Sequence, residues 1–166
     1  LGYDKEHVVV LPIGGKMLKD FQNIKDAITK VPGVEAVTAA YETPEYVEWG
    51  DGITATDEKG QHDISLNAMP VDLDFTKTLK MQMVAGRDFQ ESDFGIMDTS
   101  NNSANFQQPY IINESLAKQI GWTPEQALGK TIDKGSAGPV VGVIKDFNFS
   151  SLHDPIGPLV MFLGRN

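Results

Sequence analysis

The sequence predicts an α+β fold, a mixed sheet with helices packed on one side. Three observations predict it. Apolar runs of strand length recur, in "HVVVLPI", "YIIN", "VVGVI" and "PLVMFL". Amphipathic helical spacing separates some of them, and one long stretch alternates apolar and polar residues in the manner of a hairpin. At 166 residues the chain fits one domain, or two small lobes sharing a core, and buries roughly 70% of its unfolded surface.

The elements follow in order. Val8–Leu11, closed by Pro12 and Gly14-Gly15, reads as a buried strand. Met17, Phe21, Ile24, Ile28 and Val31 recur at steps of four and three, which puts them on one helix face. Pro32 disfavours helical geometry at Val31, and Gly33 permits the turn that ends the helix. "VEAVTAAYET" reads as a second strand. Ile53 and Ala55, then Ile64, Leu66 and Ala68, alternate with polar neighbours across the turn "EKG", a hairpin. A short helix opened by Asp72 or Asp74 precedes a strand over 81–85, broken by Gly86 and Arg87.

Residues 90–109 are polar, turn-rich and aperiodic, as in an exposed loop. Order returns with the strand "YIIN", whose Asn113 is placed to cap a helix over "ESLAKQIGW". Thr123, Pro124 and Gln126 form a capping-box signature for a further helix, with Gly129 at its end. In "VVGVIKDFNF" the two-residue period places Val141, Val143, Lys145, Phe147 and Phe149 on one face and Val140, Gly142, Ile144, Asp146 and Asn148 on the other. Both faces are apolar in the first half, which marks a central strand.

Composition excludes several functions. A net charge of −9 argues against nucleic acid, whose phosphates are neutralised by Lys and Arg, and against a polybasic membrane patch. With no cysteine there is no disulfide, thiolate metal site or thiol nucleophile. No apolar run reaches the roughly 20 residues of a membrane helix. His7, His62 and His153 are widely separated and form no metal-type pair. The acidic pairs Asp72/Asp74, Glu91/Asp93 and Asp51/Asp57 could serve as paired carboxylates only if folding brought them to one cleft, and Asp72 and Asp74 read as helix-start residues. "DTSNNSAN" lacks the glycine and closing glutamate of a calcium loop. Gly129-Lys130-Thr131 lacks the earlier glycine of a phosphate loop, and no G-x-S-x-G is present. The triplets beginning at Asn101, Asn113 and Asn148 fit the glycosylation pattern, which occurs often by chance. Strand alternation sends Lys145 and Asp146 apart, so they do not form an acid–base pair. No catalytic, cofactor-binding or metal-binding residue is assigned.

Four segments in order, "LGYDKEHVVVLPI", "VDLDFTKTLKMQMVAGRDF", "YIINESLAKQIGW…ALGKTI" and "VVGVIKDFNFSSLHDPIGPLV", carry a resemblance over nearly the whole chain. Together they resemble the extracytoplasmic core domain of MacB/FtsX-type ABC transporter permeases, in the short form of Bacteroidetes-like bacteria. The resemblance implies a single extracytoplasmic domain over 1–166. Its porter-like lobe would comprise 1–88 plus 140–166, and a smaller inserted α/β lobe 89–139. It implies a soluble domain at the periplasmic face of the inner membrane, with membrane helices just beyond Leu1 and Asn166 and both ends leaving on one side. The implied role is to couple cytoplasmic ATP hydrolysis to substrate export or release, with no chemistry and no cofactor of its own. The implied partners are the flanking helices, a second permease copy or paralogue, a cytoplasmic ATPase, and a periplasmic adaptor or substrate, but no nucleic acid. A free periplasmic module binding a peptide, lipid or glycan is the alternative.

Overall fold

The computed structural model describes residues 1–57, 60–96, 107–150 and 153–164. Among them seven strands make one mixed sheet in the order β3-β6-β4-β7-β2-β1-β5. The strands are β1 (Gly50–Asp57), β2 (Gly60–Val71), β3 (Met83–Gly86), β4 (Tyr110–Asn113), β5 (Thr131–Asp133), β6 (Ala137–Ile144) and β7 (Leu159–Leu163). The helices are α1 (Lys16–Lys19), α2 (Phe21–Thr29), α3 (Phe75–Thr78), α4 (Glu91–Ile96), α5 (Glu114–Ile120) and α6 (Pro124–Ala127). The α+β class read from the sequence is the one observed.

The expected hairpin is β1–β2, antiparallel with Ile53 opposite Ile64 and Asp57 opposite Gly60; Glu58 and Lys59 of its turn lie outside the described residues. β2 runs parallel to β7, and β4 runs parallel to β6 and antiparallel to β7. β5 pairs with β1 on one side and with β6 on the other, so hydrogen bonding closes β1, β5, β6, β4, β7 and β2 into a ring. Closure removes the free edges that a six-stranded open sheet would expose. Each of the six strands sends apolar side chains into one buried cluster: Ile53, Leu66, Tyr110, Ile132, Val140 and Val160 among them. Leu116, Ala117 and Ile120 of α5, with Trp122 and Ala127, join the same cluster.

The opposite face is covered too, a correction to the one-sided packing expected. Met69, Ile111, Ile144 and Met161 point there, under Phe75 and Leu79 from the α3 region, Phe89, and the aromatic pair Phe147 and Phe149. The alternation of β4 (Tyr110 and Ile112 to one cluster, Ile111 to the other) is what makes it wholly buried. β4 and β5 come from the segment 89–139, and β4 sits between β6 and β7, so both expected lobes contribute strands to this one sheet.

β6 departs from a simple two-residue period. Tyr110 pairs with Val140 but Ile111 pairs with Gly142, which leaves Val141 as the extra residue of a bulge. Val140 and Val143 therefore share one cluster, while Ile144 turns to the other. The face assignment read from strict alternation fails at this bulge.

The opening of the chain differs most. Val8–Leu11 is an extended, exposed segment, not a buried strand, with Val9 80% exposed. The apolar run has no neighbouring strand among the described residues to pair with. The expected helix is divided into α1 and α2 at Asp20. Of its apolar face only Phe21 is buried, and Met17 and Val31 are exposed. Lys25 Nζ ties α2 to Asp72 at 2.6 Å. The expected second strand reduces to a bridge between Ala40 and Val71, with flanking Tyr41 and Asp72 amide bonds. α4 occupies part of the expected loop, and residues 97–106, including "DTSNNSAN", lie outside the described residues.

Leu1 is held by the Asn148 amide, on the connection that follows β6. Gly164 leaves β7 beside Val71, at the end of β2 opposite Asn67. Because β7 is parallel to β2 and starts beside Asn67, it carries the chain away from the Leu1 end, and the two positions do not leave the fold on one side.

Two glycines of β6 are required by close backbone approaches. A Cβ on Gly138 would run into the Gln108 backbone, and one on Gly142 into the Arg87 carbonyl. Neither glycine has a positive φ, so the constraint is contact alone. Gly138→Ala is expected to cost about 1–3 kcal/mol by pushing Gln108 away from β6 and breaking its amide bond to the Ala137 carbonyl. Gly52→Ala, whose Cβ would meet only an ordinary contact with the Ile64 carbonyl, is expected to change stability by less than about 1 kcal/mol. Urea midpoints of the two variants check this.

Candidate functional site

The stretch Val140–Pro158 contains two aspartates, a lysine, two serines and a histidine, and the fold spends Asp146 on joining elements. Asp146 lies at the start of α5, where its Oδ1 accepts from the Ser115 N–H at 3.0 Å and its Oδ2 from the Ser115 hydroxyl at 2.6 Å. A carboxylate there meets unpaired amides and the positive end of the helix dipole. Glu114 Oε2 in turn accepts from the Asp146 N–H at 3.1 Å. Lys145 is exposed, and its backbone amide donates to the Gln82 carbonyl. Both residues follow the end of β6, so the irregular connection, and not a strand period, sets exposed Lys145 apart from half-buried Asp146.

Asn113 is the centre of this seam. It is fully buried at the junction of β4 and α5. Its Oδ1 accepts from the Leu116 N–H at 3.0 Å, the cap expected from the sequence, and from the Leu159 N–H at 2.9 Å. Its Nδ2 donates to the Gly157 carbonyl at 2.9 Å. One side chain therefore fastens β4 and the α5 that directly follows it to the entry to β7, 46 residues further on. The second cap also forms as read, with Thr123 Oγ1 and Gln126 Oε1 exchanging bonds with each other's backbone amides.

A second polar clasp follows β3. The Arg87 guanidinium donates from both terminal nitrogens to Asp93, at 2.8 Å each, and from one of them to the Asp88 carbonyl. Asp93 is 3% exposed and Arg87 41%. The Gln90 N–H also donates to Asp93, and the Thr76 hydroxyl donates to Asp88. Burial acts to raise the Asp93 pKa, but the Arg87 and Gln90 hydrogen bonds and the Arg87 charge outweigh it and hold the carboxyl below the ordinary range.

The acidic pairs are not gathered into one cleft. Asp72 pairs with Lys25, Asp93 with Arg87, and Asp51 with Lys134. Asp74 occupies the N-cap of α3 in a left-handed conformation but makes no capping hydrogen bond, and Asp72 serves the ion pair and not the helix start. Among the described residues no three His, Asp or Glu side chains are grouped so as to hold a metal ion. Gly129 and Lys130 lie between the end of α6 and β5, and Thr131 opens β5, the structural reading of Gly-Lys-Thr. Burial pushes the Tyr110 hydroxyl pKa upward, and it donates to the Ser136 carbonyl at 2.6 Å. Of the three glycosylation-type asparagines, Asn113 is inaccessible and Asn101 lies outside the described residues. Sequence reasoning missed the Arg87–Asp93 clasp, although a charge pair six residues apart just after a strand end was visible.

Comparison with solved structures places the fold. The periplasmic region of MacB from Actinobacillus actinomycetemcomitans matches 86% of this chain with a TM-score of 0.54 and 16% identity. A domain of a putative permease from Porphyromonas gingivalis matches 83% at a TM-score of 0.52 and 18% identity. The extracellular domain of YknZ, a noncanonic ABC-type transporter from Gram-positive bacteria, matches 86% at a TM-score of 0.50 and 19% identity. The fold is that of MacB-like periplasmic domains. No family model and no curated relative matches the chain. The chain spans 54%, 54% and 61% of the lengths of these three solved chains. No helix among the described residues is long and apolar enough to cross a membrane.

Two outcomes follow from the seam and the clasp. Asn113→Ala removes the cap and strands the buried Leu159 amide and Gly157 carbonyl, so a loss of about 2–4 kcal/mol is expected by chemical denaturation. Asp93 has a depressed folded pKa, so its stabilisation is full above the unfolded value of about 3.9 and is lost as pH falls through the folded value. Urea midpoints measured from pH 6 to pH 2 should therefore fall more steeply below about pH 4 for the wild type than for Asp93→Asn.

Proposed function

We propose that this chain is part of the extracytoplasmic domain of an ABC transporter permease, coupling ATP hydrolysis on the cytoplasmic side to export or release of a substrate outside the membrane. The observation that carries the reading is the fold shared with the periplasmic region of MacB, the extracellular domain of the ABC-type transporter YknZ and a domain of a putative permease over 83–86% of the chain. In this reading the domain does no chemistry. The dispersal of its acidic groups into ion pairs with Lys25, Arg87 and Lys134 suits a mechanical role better than a hydrolytic one.

The rest of the permease, a second permease copy or paralogue, and a cytoplasmic ATPase are the partners, with a periplasmic adaptor or substrate beyond them. The porter-like lobe would draw on 1–88 and 140–166, and the inserted lobe on 89–139, with β4, β6 and β7 as a shared rigid join.

The test is made on the full-length protein in its native membrane. Protease added to spheroplasts should cut within residues 1–166 while cytoplasmic markers stay intact. Asn113→Ala, chosen to loosen the seam, should lower the coupling of ATP turnover to substrate release. A protected domain, or a full-length chain that is not membrane-bound, overturns the proposal.

A further inference from the structure

Outside the seam and the clasp, an open pocket of about 360 Å³ is lined by Tyr41, Glu42, Glu48 and Trp49. It lies where the chain leaves the Ala40–Val71 bridge and turns into β1. Two of its walls are aromatic: Tyr41 is 73% exposed and Trp49 37%, in an edge-to-face pair with centroids 5.4 Å apart. Burying such rings is favourable, so rings held this open on an ordered loop present a surface for contact. The other two walls are carboxylates. Glu42 is fixed in place, its Oε2 accepting from the Glu48 and Trp49 amides at 3.1 and 3.3 Å. Its Oε1 and the exposed Glu48 carboxylate make no hydrogen bond or ion pair with the described residues.

We propose that this pocket is a binding site for an organic cation, a guanidinium or alkylammonium group seated against the Trp49 and Tyr41 rings and balanced by Glu42 and Glu48. The combination selects the ligand class. Aromatic faces carry negative potential and attract cations, most strongly at tryptophan. Carboxylates at the rim repel anions, and a net charge of −9 favours cation approach. A metal ion fits poorly, because two carboxylates beside aromatic walls do not supply the six to eight oxygens that calcium takes. The protein already uses this chemistry at the same ring: Lys134 Nζ sits 5.2 Å from the Trp49 centroid and 4.6 Å from that of Phe162, with Asp51 as its counter-ion. An internal cation against Trp49 is thus neutralised by one carboxylate, and the outer pocket offers a second cation the same arrangement. This site stands apart from the transport reading and does not depend on it.

Fluorescence tests it directly, because Trp122 is buried, 8% exposed, and Trp122→Phe leaves Trp49 as the reporter. N-acetyl-arginine methylamide should give a saturable change in emission, and the neutral isostere N-acetyl-citrulline methylamide should bind at least roughly fivefold more weakly. Tetramethylammonium is the arm that separates sources. Binding of both cations supports a site for any small organic cation, and binding of the arginine probe alone supports a basic side chain of a peptide. Glu48→Gln and Tyr41→Ala, both at exposed positions, should each weaken arginine binding by roughly three- to fivefold with the thermal midpoint unchanged. An equal response to citrulline, a response that never saturates, or unchanged affinity in both variants overturns the proposal.

Discussion

The architecture depends on how closely backbone can approach β6. Gly138 and Gly142 leave room where a Cβ would collide with Gln108 and Arg87. One edge of β6 serves two partners in succession, β5 near its start and β3 near its end. Pairing with β5 closes the ring of six strands, and pairing with β3 delivers Arg87 to its clasp with Asp93. A side chain at Gly142 would push away Arg87, which follows β3, and one at Gly138 would push away Gln108, which leads into β4. The bulge at Val141 is part of the same arrangement, because Arg87 N–H donates to the Val141 carbonyl.

Much of this was legible locally. The β1–β2 hairpin, β4, both caps on α5 and α6, and β7 follow from period-two alternation and from side chains that bond their own backbone a few residues away. What failed depends on partners distant in sequence. Val8–Leu11 has the composition of a buried strand, but burial needs a neighbour, and no described strand lies beside it. The Val141 bulge is invisible to alternation, since a run of Val, Val, Gly, Val and Ile reads as apolar in either register. Two-sided coverage was missed because Phe147 and Phe149 look like strand residues, while in the fold they are a lid of irregular chain over Met69 and Leu159. Of the candidate site, the capping role of Asn113 was readable, but its links to Gly157 and Leu159 were not, because those partners are distant in sequence; the Tyr41–Trp49 pocket was not, because its walls come from an irregular loop with no periodic signal.

The polar groups show a consistent division of labour. Those with buried partners join segments: Asn113 links β4, α5 and β7, Asp146 fixes the start of α5, and Asp93 holds Arg87. A buried side chain that satisfies several backbone groups stabilises only while all its partners stay in place, since each stranded group costs about 1–3 kcal/mol. Such nodes favour rigid-body behaviour of the sheet, α5 and β7 as one unit.

The N-terminal unit is built on the opposite terms. From Val8 to Val31 it is anchored among the described residues by the buried Phe21 ring and the Lys25–Asp72 pair, against two extensive buried clusters for the sheet. Local opening costs scale with the apolar contacts and hydrogen bonds that must break. The helix α2 can therefore detach from the body at a small fraction of the cost of separating any two ring strands. A body that is stiff across β6, β4 and β7, joined to a helix held by one ring and one ion pair, has its compliance concentrated at Asp72. That residue follows directly on β2 and closes the Ala39 bond beside the bridge, so force applied to α2 enters the sheet along β2, the strand that also pairs with β7.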